Sequence, residues 1–438
     1  MFFRQIFFWS LFAFSFQTVA QSSWRFDFGP GKTAKGFTKV LAEDRYTEKK
    51  GYGFLGEGVI VEVDRKGKNP LTSDFIAGDQ PFYFQVRVEE GDYEVAIIFG
   101  DSQGVSDNTV KSESRRLFIE NLSTKKGEFK TVRFVVNVRT PRIDANESIR
   151  IKPREDNYLN WDDKLTLEFN GRRPCVAALE IKKVSDAVAV FLAGNSTVVD
   201  QEYEPWAAWG QMIPAFFDHR VSVANYAESG ESLKSFVAEK RLDKILSLMK
   251  PGDYLFVEFA HNDQKPGASY AAPFAGYQEM LRHFIAETRK KGGIPVLVTS
   301  IHRRRFDENG NIVNTLAEYP EAMRQVAREE NVALIDLNEM SKKLFEALGP
   351  EESKSAFVHY RAGTFPGQEE DLADDSHFSN YGAWQLAKCV ALAIRNSNLD
   401  LRKNLIAIPS YDPSRPDPLE TFAIPHSPSI SQFKPDGK

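Results

Sequence analysis

The sequence predicts an α/β domain built on a parallel sheet, preceded by an antiparallel β-sandwich. From about residue 24 to residue 184, apolar and polar residues alternate, as they do from Phe82 to Val88, and Gly, Asp and Asn separate the alternating runs. From residue 187 onward, short apolar runs instead alternate with segments of helical periodicity. That second pattern is typical of a parallel sheet covered by helices on both faces.

The length and the change of pattern divide the chain into parts. With 438 residues the chain is longer than one domain usually is, and the periodicity changes near residue 185. We therefore predict a β-sandwich domain over residues 22–184, an α/β domain over residues 187–400, and a Pro-rich, irregular C-terminal tail over residues 407–438.

Each element of the α/β domain follows from its own pattern. Strands are predicted where a short apolar run stands between turn residues, and helices where apolar residues recur every three or four positions. The predicted strands are Val188–Ala193, Val221–Ala224, Tyr254–Phe259, Ile294–Thr299 and Ala333–Ile335, and the predicted helices are Trp206–Phe217, Leu233–Met249, Phe274–Lys291 and Tyr381–Ile394.

The N-terminus predicts a signal peptide over residues 1–20. A basic residue near the start is followed by an apolar stretch from Ile6 to Phe16 and by small residues that end at Ala20. The apolar stretch is short for a membrane span, so we expect cleavage and no stable membrane anchor. The protein should be exported, and act in the periplasm or outside the cell.

Composition excludes several other functions. The net charge of −5 offers no basic surface for nucleic acid. The two cysteines, Cys175 and Cys389, lie in different predicted domains and predict no disulfide. The seven histidines are scattered, without a cluster of Cys and His. We therefore predict neither a metal site nor a cofactor, and nothing in the sequence indicates an oligomeric state.

Polar residues follow successive strands of the predicted parallel sheet. Ser196 stands in a tight turn after the first strand, residues 225–232 follow the second, and Asn262 follows the third, while Asp374 and His377 precede the last helix. Because ligands bind at the carboxyl edge of such sheets, these side chains should converge there. A serine hydrolase needs a nucleophile, a base, a group that orients the base, and donors for an oxyanion. The set contains a candidate for each.

These four segments resemble, in order, the sequence blocks of the GDSL or SGNH hydrolase family, over about residues 187–396. The first block usually reads Gly-Asp-Ser and here reads Gly-Asn-Ser, ending at Ser196. The third usually reads Gly-x-Asn-Asp and here has Ala260 in place of the Gly; the fourth is Asp374-x-x-His377. The resemblance implies a three-layer α/β/α, flavodoxin-like hydrolase domain.

The resemblance also implies a role for each block. His377 would accept the proton of Ser196 as that residue attacks an ester carbonyl, and Asp374 would orient the imidazole. The backbone N–H groups of Ser196 and Gly230 and the side-chain amide of Asn262 would bind the oxyanion.

Two points stay open at the level of sequence. Asp375 stands next to Asp374 and could be the orienting acid instead. Ala260 would be strained if its position requires a positive φ, and would serve if the position requires only a small side chain. We expect the remaining histidines outside the blocks to be surface or structural residues; they are His219, His283, His302, His359 and His426.

Four short sequence segments narrow the resemblance to rhamnogalacturonan acetylesterases and their relatives among the family 12 carbohydrate esterases. Those enzymes remove acetyl groups from pectic polysaccharides. The N-terminal domain is similar to the galactose-binding-like sandwich attached to some bacterial members. The segments that carry the narrower resemblance are Trp209–Pro214, Ala260–Lys265, Ser300–Asp307 and Asp375–Ala383.

The expected partner is therefore an acetylated polysaccharide, and four residues are candidates for binding it. Arg303, Arg304 and Arg305 follow a predicted strand, so their run should begin near the active-site edge. Arg suits the planar recognition of a uronate carboxylate. His261, inside the third block, could line the same cleft or could be an ordinary loop histidine.

Three classes of function follow from the sequence. The first is a secreted esterase that hydrolyses O-acetyl esters on pectic polysaccharide by a Ser-His-Asp acyl-enzyme mechanism. The second is a lipolytic or broad-specificity esterase on the same fold, or an acetylxylan esterase. The third is a carbohydrate-binding protein that has lost catalysis, and the intact Ser196, Asn262, Asp374 and His377 argue against it.

Overall fold

The computed structural model describes residues 22–56, 58–406 and 410–435. The predicted signal peptide over residues 1–20 lies outside the described residues, as do positions 407–409 and 436–438 of the predicted tail. Within the described ranges, no helix combines the length and the apolar character needed to cross a membrane.

The N-terminal domain is a β-sandwich. One of its sheets has the strand order β3-β6-β11-β8-β9, and the facing layer has the order β10-β7-β12-β1-β2, with β5 paired to β12 and β4 paired to β5. The strands are β1 (Ser23–Phe28), β2 (Thr38–Val40), β3 (Tyr52–Leu55), β4 (Ile60–Asp64), β5 (Asp74–Gly78), β6 (Phe82–Arg87), β7 (Gly91–Gly100), β8 (Ser106–Ser112), β9 (Arg116–Thr124), β10 (Phe129–Val138), β11 (Lys164–Arg173) and β12 (Cys175–Val184), with a helical turn, α1 (Pro70–Ser73), before β5 and a 3₁₀ turn at Pro153–Asn157.

Aromatic rings fill the space between the two sheets. The alternation along β6 turns Phe82, Phe84 and Val86 inward, and all three are buried. The ring of Phe84 lies 5.1 Å from that of Phe26 on β1 and 5.2 Å from that of Phe54 on β3. Burying one such side chain stabilises the fold by about 1.5–3 kcal/mol. The predicted sandwich is thereby confirmed.

The C-terminal domain is a three-layer α/β/α structure. Its parallel strands have the order β17-β16-β15-β13-β14, which is the flavodoxin-like order, and apolar clusters pack on both faces. The strands are β13 (Val188–Gly194), β14 (Val221–Asn225), β15 (Tyr254–Glu258), β16 (Ile294–Val298) and β17 (Ala333–Ile335), followed by a hairpin of β18 (Phe357–Tyr360) and β19 (Leu372–Phe378).

Helices flank this sheet on both sides. They are α2 (Trp209–Met212), α3 (Leu233–Ala238), α4 (Arg241–Leu248), α5 (Gln278–Lys290), α6 (Tyr319–Glu329), α7 (Leu337–Glu352) and α8 (Asn380–Asn396), with 3₁₀ turns at Ile213–Phe216, Ser353–Ala356, Asp400–Asn404 and Leu419–Thr421 and a π turn at Pro273–Tyr277.

Two of the predicted helices are wrong in extent. The predicted helix over Leu233–Met249 is two helices, because Lys240 adopts a left-handed conformation with φ of +61° and separates α3 from α4. The predicted helix over Trp206–Phe217 is only the four residues of α2 and a 3₁₀ turn. Pro214 has no N–H with which to continue the α-helical ladder.

The two domains share one continuous sheet. The edge strand of the sandwich, β10, pairs in parallel with β14 of the hydrolase domain, where Val135 lies opposite Ser222. The hydroxyl of Ser222 also donates to Asp92 Oδ1 at 2.6 Å. The result is a twelve-stranded sheet that runs through both domains.

A buried carboxylate, Glu204, joins the two domains and the C-terminal tail. Its oxygens lie 2.5 Å from Arg115 Nη2 of the sandwich and accept hydrogen bonds from Asn380 at the start of α8, and from Ser427 N and His426 Nδ1 of the tail. Burial alone would raise the pKa of Glu204, but these positive and polar partners hold it below its ordinary value. The part of the tail that the structure describes is therefore irregular in conformation, but His426 and Ser427 bind it to the rest of the protein.

Removing the Glu204 carboxylate should destabilise the whole protein. Glu204→Ala leaves the buried cations of Arg115 and Lys111 without this partner, which we expect to lower the free energy of unfolding by about 3–5 kcal/mol. Urea denaturation measures the change.

Glu180→Ala is the matched control, because the Arg25–Glu180 pair is 56% and 43% exposed. Such a surface pair should change stability by no more than about 1 kcal/mol. Equal, small effects of the two substitutions would show that Glu204 does not hold the parts together.

Candidate active site

Ser196 stands in a tight turn directly after β13. The N–H groups of Val198 and Val199 both donate to Asn195 O at 3.0 Å, and Asn195 Oδ1 accepts from Thr197 N. A Cβ on Gly194 would lie only 2.5 Å from Val198 Cγ2. The turn can therefore close this tightly only because residue 194 is glycine.

The structure brings Ser196, His377 and Asp374 together in a hydrogen-bonded series. Ser196 Oγ lies 2.9 Å from His377 Nε2, and His377 Nδ1 lies 2.7 Å from Asp374 Oδ2. Asp374 Oδ1 accepts from the N–H groups of Ser376 and His377 at 2.8 and 3.1 Å. With the Nδ1 proton directed to Asp374, the lone pair of Nε2 faces the serine hydroxyl and can accept its proton.

Asp374, and not Asp375, contacts the imidazole of His377. Burial alone would raise the pKa of Asp374, but the hydrogen bond and charge of His377 outweigh burial and hold it well below its ordinary value. Asp375 is half exposed and binds Arg304 Nη1 at 2.9 Å and His359 Nε2 at 2.8 Å. The alternative assignment of the orienting acid to Asp375 therefore has no geometric basis.

Three hydrogen-bond donors stand at the positions predicted for an oxyanion site. In the described part of the chain, neither the N–H of Ser196 nor that of Gly230 donates to a protein acceptor. Asn262 Nδ2 donates one hydrogen to Glu231 O at 2.8 Å, which fixes the amide beside Gly230 and leaves its second hydrogen for a ligand. These donors can stabilise negative charge that develops on a carbonyl oxygen.

Gly230 and Ala260 differ in what their positions require. Gly230 has a φ of +87°, a conformation that disfavours other residues, whereas Ala260 is absent from the described residues with positive φ. Ala260 is also fully buried against Phe259 and its neighbours. The position thus requires a small side chain and not a left-handed backbone, and Ala occupies it without strain.

His261 lies near both Arg303 of the arginine run and His377. Arg303 Nη1 donates to Thr315 O and Oγ1 at 3.3 and 3.1 Å, and within the described ranges it pairs with no carboxylate. Burial, together with the charges of Arg303 and His377, lowers the pKa of His261, whose Nε2 lacks a hydrogen-bond partner in the described structure. Arg304 is engaged by Asp375, and Arg305 is exposed.

A further carboxyl group, Glu258, supports the nucleophile turn and was missed by the sequence analysis. Its two oxygens accept from Thr197 Oγ1 at 2.8 Å and from Trp209 Nε1 at 2.6 Å, and burial raises its pKa to about 7. The available signal was an acidic residue at the end of an otherwise apolar strand, β15.

The N-terminal domain holds two of the loops that form the site. Arg115 Nη1 donates to Gln201 O, and Gln201 Nε2 donates to Ser196 O at 3.0 Å. On the other side, Lys152 and Arg154 donate to Ser229 O at 2.6 and 2.8 Å, next to Gly230. The sandwich domain therefore holds the main chain of two active-site loops by direct or relayed hydrogen bonds.

The two cysteines form no disulfide. Cys175 and Cys389 are both free and buried. Across the part of the chain that the structure describes, His, Cys, Asp and Glu form no group of three or more that could hold a metal ion.

This fold and this site define a serine esterase. The sequence profile of the GDSL-like lipase/acylhydrolase family matches residues 192–384, and that of the beta-agarase/YXIM esterase-like, galactose-binding domain-like family matches residues 24–130. The chain is 45% identical over 222 residues to rhamnogalacturonan acetylesterase RhgT of Bacillus subtilis (strain 168), a match that covers 50% of this chain and 95% of the relative.

Two further comparisons cover more of the chain. The uncharacterized esterase YxiM of Bacillus subtilis (strain 168) is 29% identical over 350 residues, which is 76% of this chain and 84% of the relative. The crystal structure of YxiM is 26% identical, with a TM-score of 0.46, and the match covers 86% of this chain and 99% of that one. The chain belongs to the GDSL-like lipase/acylhydrolase family, and its relatives include carbohydrate acetylesterases.

A substitution at Gly230 should impair catalysis, whereas a substitution at Ala260 should leave it almost unchanged. Gly230→Ala places a side chain in the left-handed region, at a cost of about 1–2 kcal/mol, and should displace the N–H of residue 230. We expect kcat to fall about 10–100-fold, as for the partial loss of one oxyanion donor.

Ala260→Gly is the control, and we expect it to leave kcat within about twofold and to lower stability by about 0.4–1 kcal/mol. Both values come from initial rates on a small acetyl ester and from thermal unfolding. A kcat that falls with Ala260→Gly but not with Gly230→Ala would contradict this assignment of the oxyanion donors.

Proposed function

We propose that this serine esterase hydrolyses O-acetyl esters on a pectic polysaccharide, in the manner of a rhamnogalacturonan acetylesterase. The observation that carries the proposal is the hydrogen-bonded series from Ser196 Oγ through His377 to Asp374, at 2.9 and 2.7 Å. Two backbone N–H groups without protein acceptors and the amide of Asn262 stand beside it.

The reaction follows from these positions in two steps. His377 Nε2 takes the hydroxyl proton as Ser196 Oγ attacks the acetyl carbonyl, and the N–H groups of Ser196 and Gly230 with Asn262 Nδ2 bind the oxyanion. His377 then gives the proton to the sugar oxygen, which leaves. A water molecule, deprotonated by His377, attacks the acetyl-enzyme. His377 returns this proton to Ser196 Oγ as the bond between the acyl carbon and Oγ breaks, and the acetic acid that leaves ionises to acetate. Each oxyanion donor contributes about 3 kcal/mol to the transition state.

Substitutions in the proposed triad should distinguish the role of Asp374 from that of Asp375. Ser196→Ala should abolish acetate release, because no nucleophile remains. Asp374→Asn should lower kcat by about a thousandfold or more, since it removes the charge that orients and stabilises the imidazole.

Asp375→Asn is the matched control for Asp374→Asn, because it changes the same group one residue away, where the carboxylate contacts Arg304 and His359. Its kcat should stay close to that of the parent. Acetate release from acetylated rhamnogalacturonan measures all three variants, and equal losses for the two Asn variants would contradict the proposed role of Asp374.

Two observations support an acidic polysaccharide as the substrate. The relative with 45% identity is named a rhamnogalacturonan acetylesterase. In addition, Arg303 carries a charge that no described carboxylate neutralises, close enough to His261 to lower the pKa of that histidine. A galacturonate carboxylate is the planar anion that a guanidinium group binds well. We assign to Arg303 the uronate-binding role, with His261 beside it.

The choice of polymer can be tested on Arg303. Arg303→Ala should raise KM for acetylated rhamnogalacturonan about tenfold, the effect of losing a charge-assisted hydrogen bond of about 1.5 kcal/mol. The same variant should change KM for neutral acetylated xylan little. Arg305→Ala, at an exposed position of the same run, serves as the control. An equal loss on both polymers would rule out uronate recognition by Arg303.

The same proposal includes export and a preference for the acetyl group. The signal-peptide pattern of residues 1–20 supports action outside the cytoplasm, where a plant polymer is encountered. A lipolytic enzyme on this fold would hydrolyse longer acyl esters faster than acetyl esters. Rates on a series of acyl chain lengths therefore distinguish that alternative from the acetylesterase proposed here.

A further inference from the structure

The C-terminal tail is fixed against the loop that follows Ser196. Ser427 Oγ donates to Glu168 Oε2 at 2.7 Å and accepts from Lys111 Nζ at 2.7 Å, both in the sandwich domain. Further along, Glu204 N donates to Ser429 O at 2.8 Å and Ser431 N donates to Glu204 O at 2.9 Å. The tail therefore pairs with the chain at Glu204 through a single parallel β-bridge at Ile430.

This path brings a lysine of the tail to the candidate triad. Lys434 Nζ lies 3.1 Å from Asp374 Oδ1, the oxygen that His377 Nδ1 does not use. The side chain of Asp374 is only 4% exposed, whereas that of Lys434 is 39% exposed. The contact therefore joins a solvent-accessible ammonium group to a nearly buried carboxylate.

We propose that Lys434 is a positioning residue that acts through Asp374 to keep His377 unprotonated, and so extends ester hydrolysis to more acidic solutions. This inference rests on the proposed function, because it concerns the base of that reaction. The carboxylate of Asp374 attracts a proton to the imidazole, and an ammonium group on the same carboxylate opposes that attraction.

The other charged groups around the imidazole do not replace this one. Asp375 faces away toward Arg304 and His359. His261 is buried, and burial with the charges of Arg303 and His377 lowers its pKa. Lys434 is therefore the ammonium group in direct contact with Asp374 among the described residues. With the screening of bulk water, a dielectric constant of about 80, a unit charge about 6 Å away moves a titration by about half a pH unit.

The contact between Lys434 and Asp374 suits a polyuronate substrate. The negative potential of an acidic polymer concentrates protons near its surface, within about 10 Å at moderate salt. An esterase that works there meets a lower pH than that of the bulk solution. A cation beside Asp374 favours the neutral base under those conditions.

The test is the pH dependence of kcat/KM in variants at this exposed position. In Lys434→Met we expect the acid limb for a neutral acetyl ester, such as 4-nitrophenyl acetate, to move to higher pH by about half a unit. Activity below the limb should then fall about threefold, with little change on the plateau. Lys434→Arg keeps the charge and should keep the parental limb, and high salt should reduce the difference between the parent and Lys434→Met.

The controls separate this inference from the proposed function. Lys403→Met removes another exposed lysine, which pairs with Asp400, and should leave the profile unchanged. Ser196→Ala tests the mechanism itself, so an active Ser196→Ala would overturn the proposed function. An inactive Ser196→Ala with an unmoved limb in Lys434→Met would overturn only the role of Lys434. A limb that moves equally in Lys434→Arg would also overturn it, because that variant retains the charge.

Discussion

The buried carboxylate of Glu204 is the constraint on which the arrangement of this protein depends. A charge without access to water is tolerated only where partners surround it, and the partners of Glu204 come from every part of the chain. Arg115 belongs to the sandwich, Asn380 begins α8 three residues after His377, and Ser427 belongs to the tail. Glu204 itself lies in the loop that begins at Ser196. The nucleophile and its base are thus held by a common anchor, although 181 residues separate them.

The sandwich domain supplies cations that balance buried carboxylates of the hydrolase domain. Arg116 and Arg139 both approach Asp200 Oδ2, at 3.3 and 3.4 Å, and Asn225 Nδ2 donates to Asp200 Oδ1. Burial raises the pKa of Asp200, and the two guanidinium groups oppose that rise. Without the sandwich, Asp200 and Glu204 would lose the arginine side chains that balance their charges. The two domains therefore share buried ion pairs, even though each has its own apolar core.

The sequence allowed the fold class and the local blocks to be predicted, because a turn after a strand or an alternating run is a short-range pattern. The Asp-x-x-His block favoured Asp374 but left Asp375 open, since adjacent residues differ in the direction that β19 gives their side chains. The break at Lys240 has no signal either, because a left-handed conformation is expected at Gly or Asn and not at Lys. The roles of Lys434 and Glu204 could not be predicted from the sequence, for a different reason. Their partners are distant in sequence, and an isolated charge in a loop or tail resembles any solvated residue.

The strand pairing between β10 and β14 has a consequence for how such proteins can be recombined. The boundary near Ser185 looks like a simple linker in the sequence, yet main-chain pairing continues across it at Val135 and Ser222. A chimera that joins this hydrolase domain to another sandwich must therefore reproduce an edge strand of the same register, and not just a linker of suitable length. For the same reason, proteolysis at the linker would leave two fragments still held by their shared sheet.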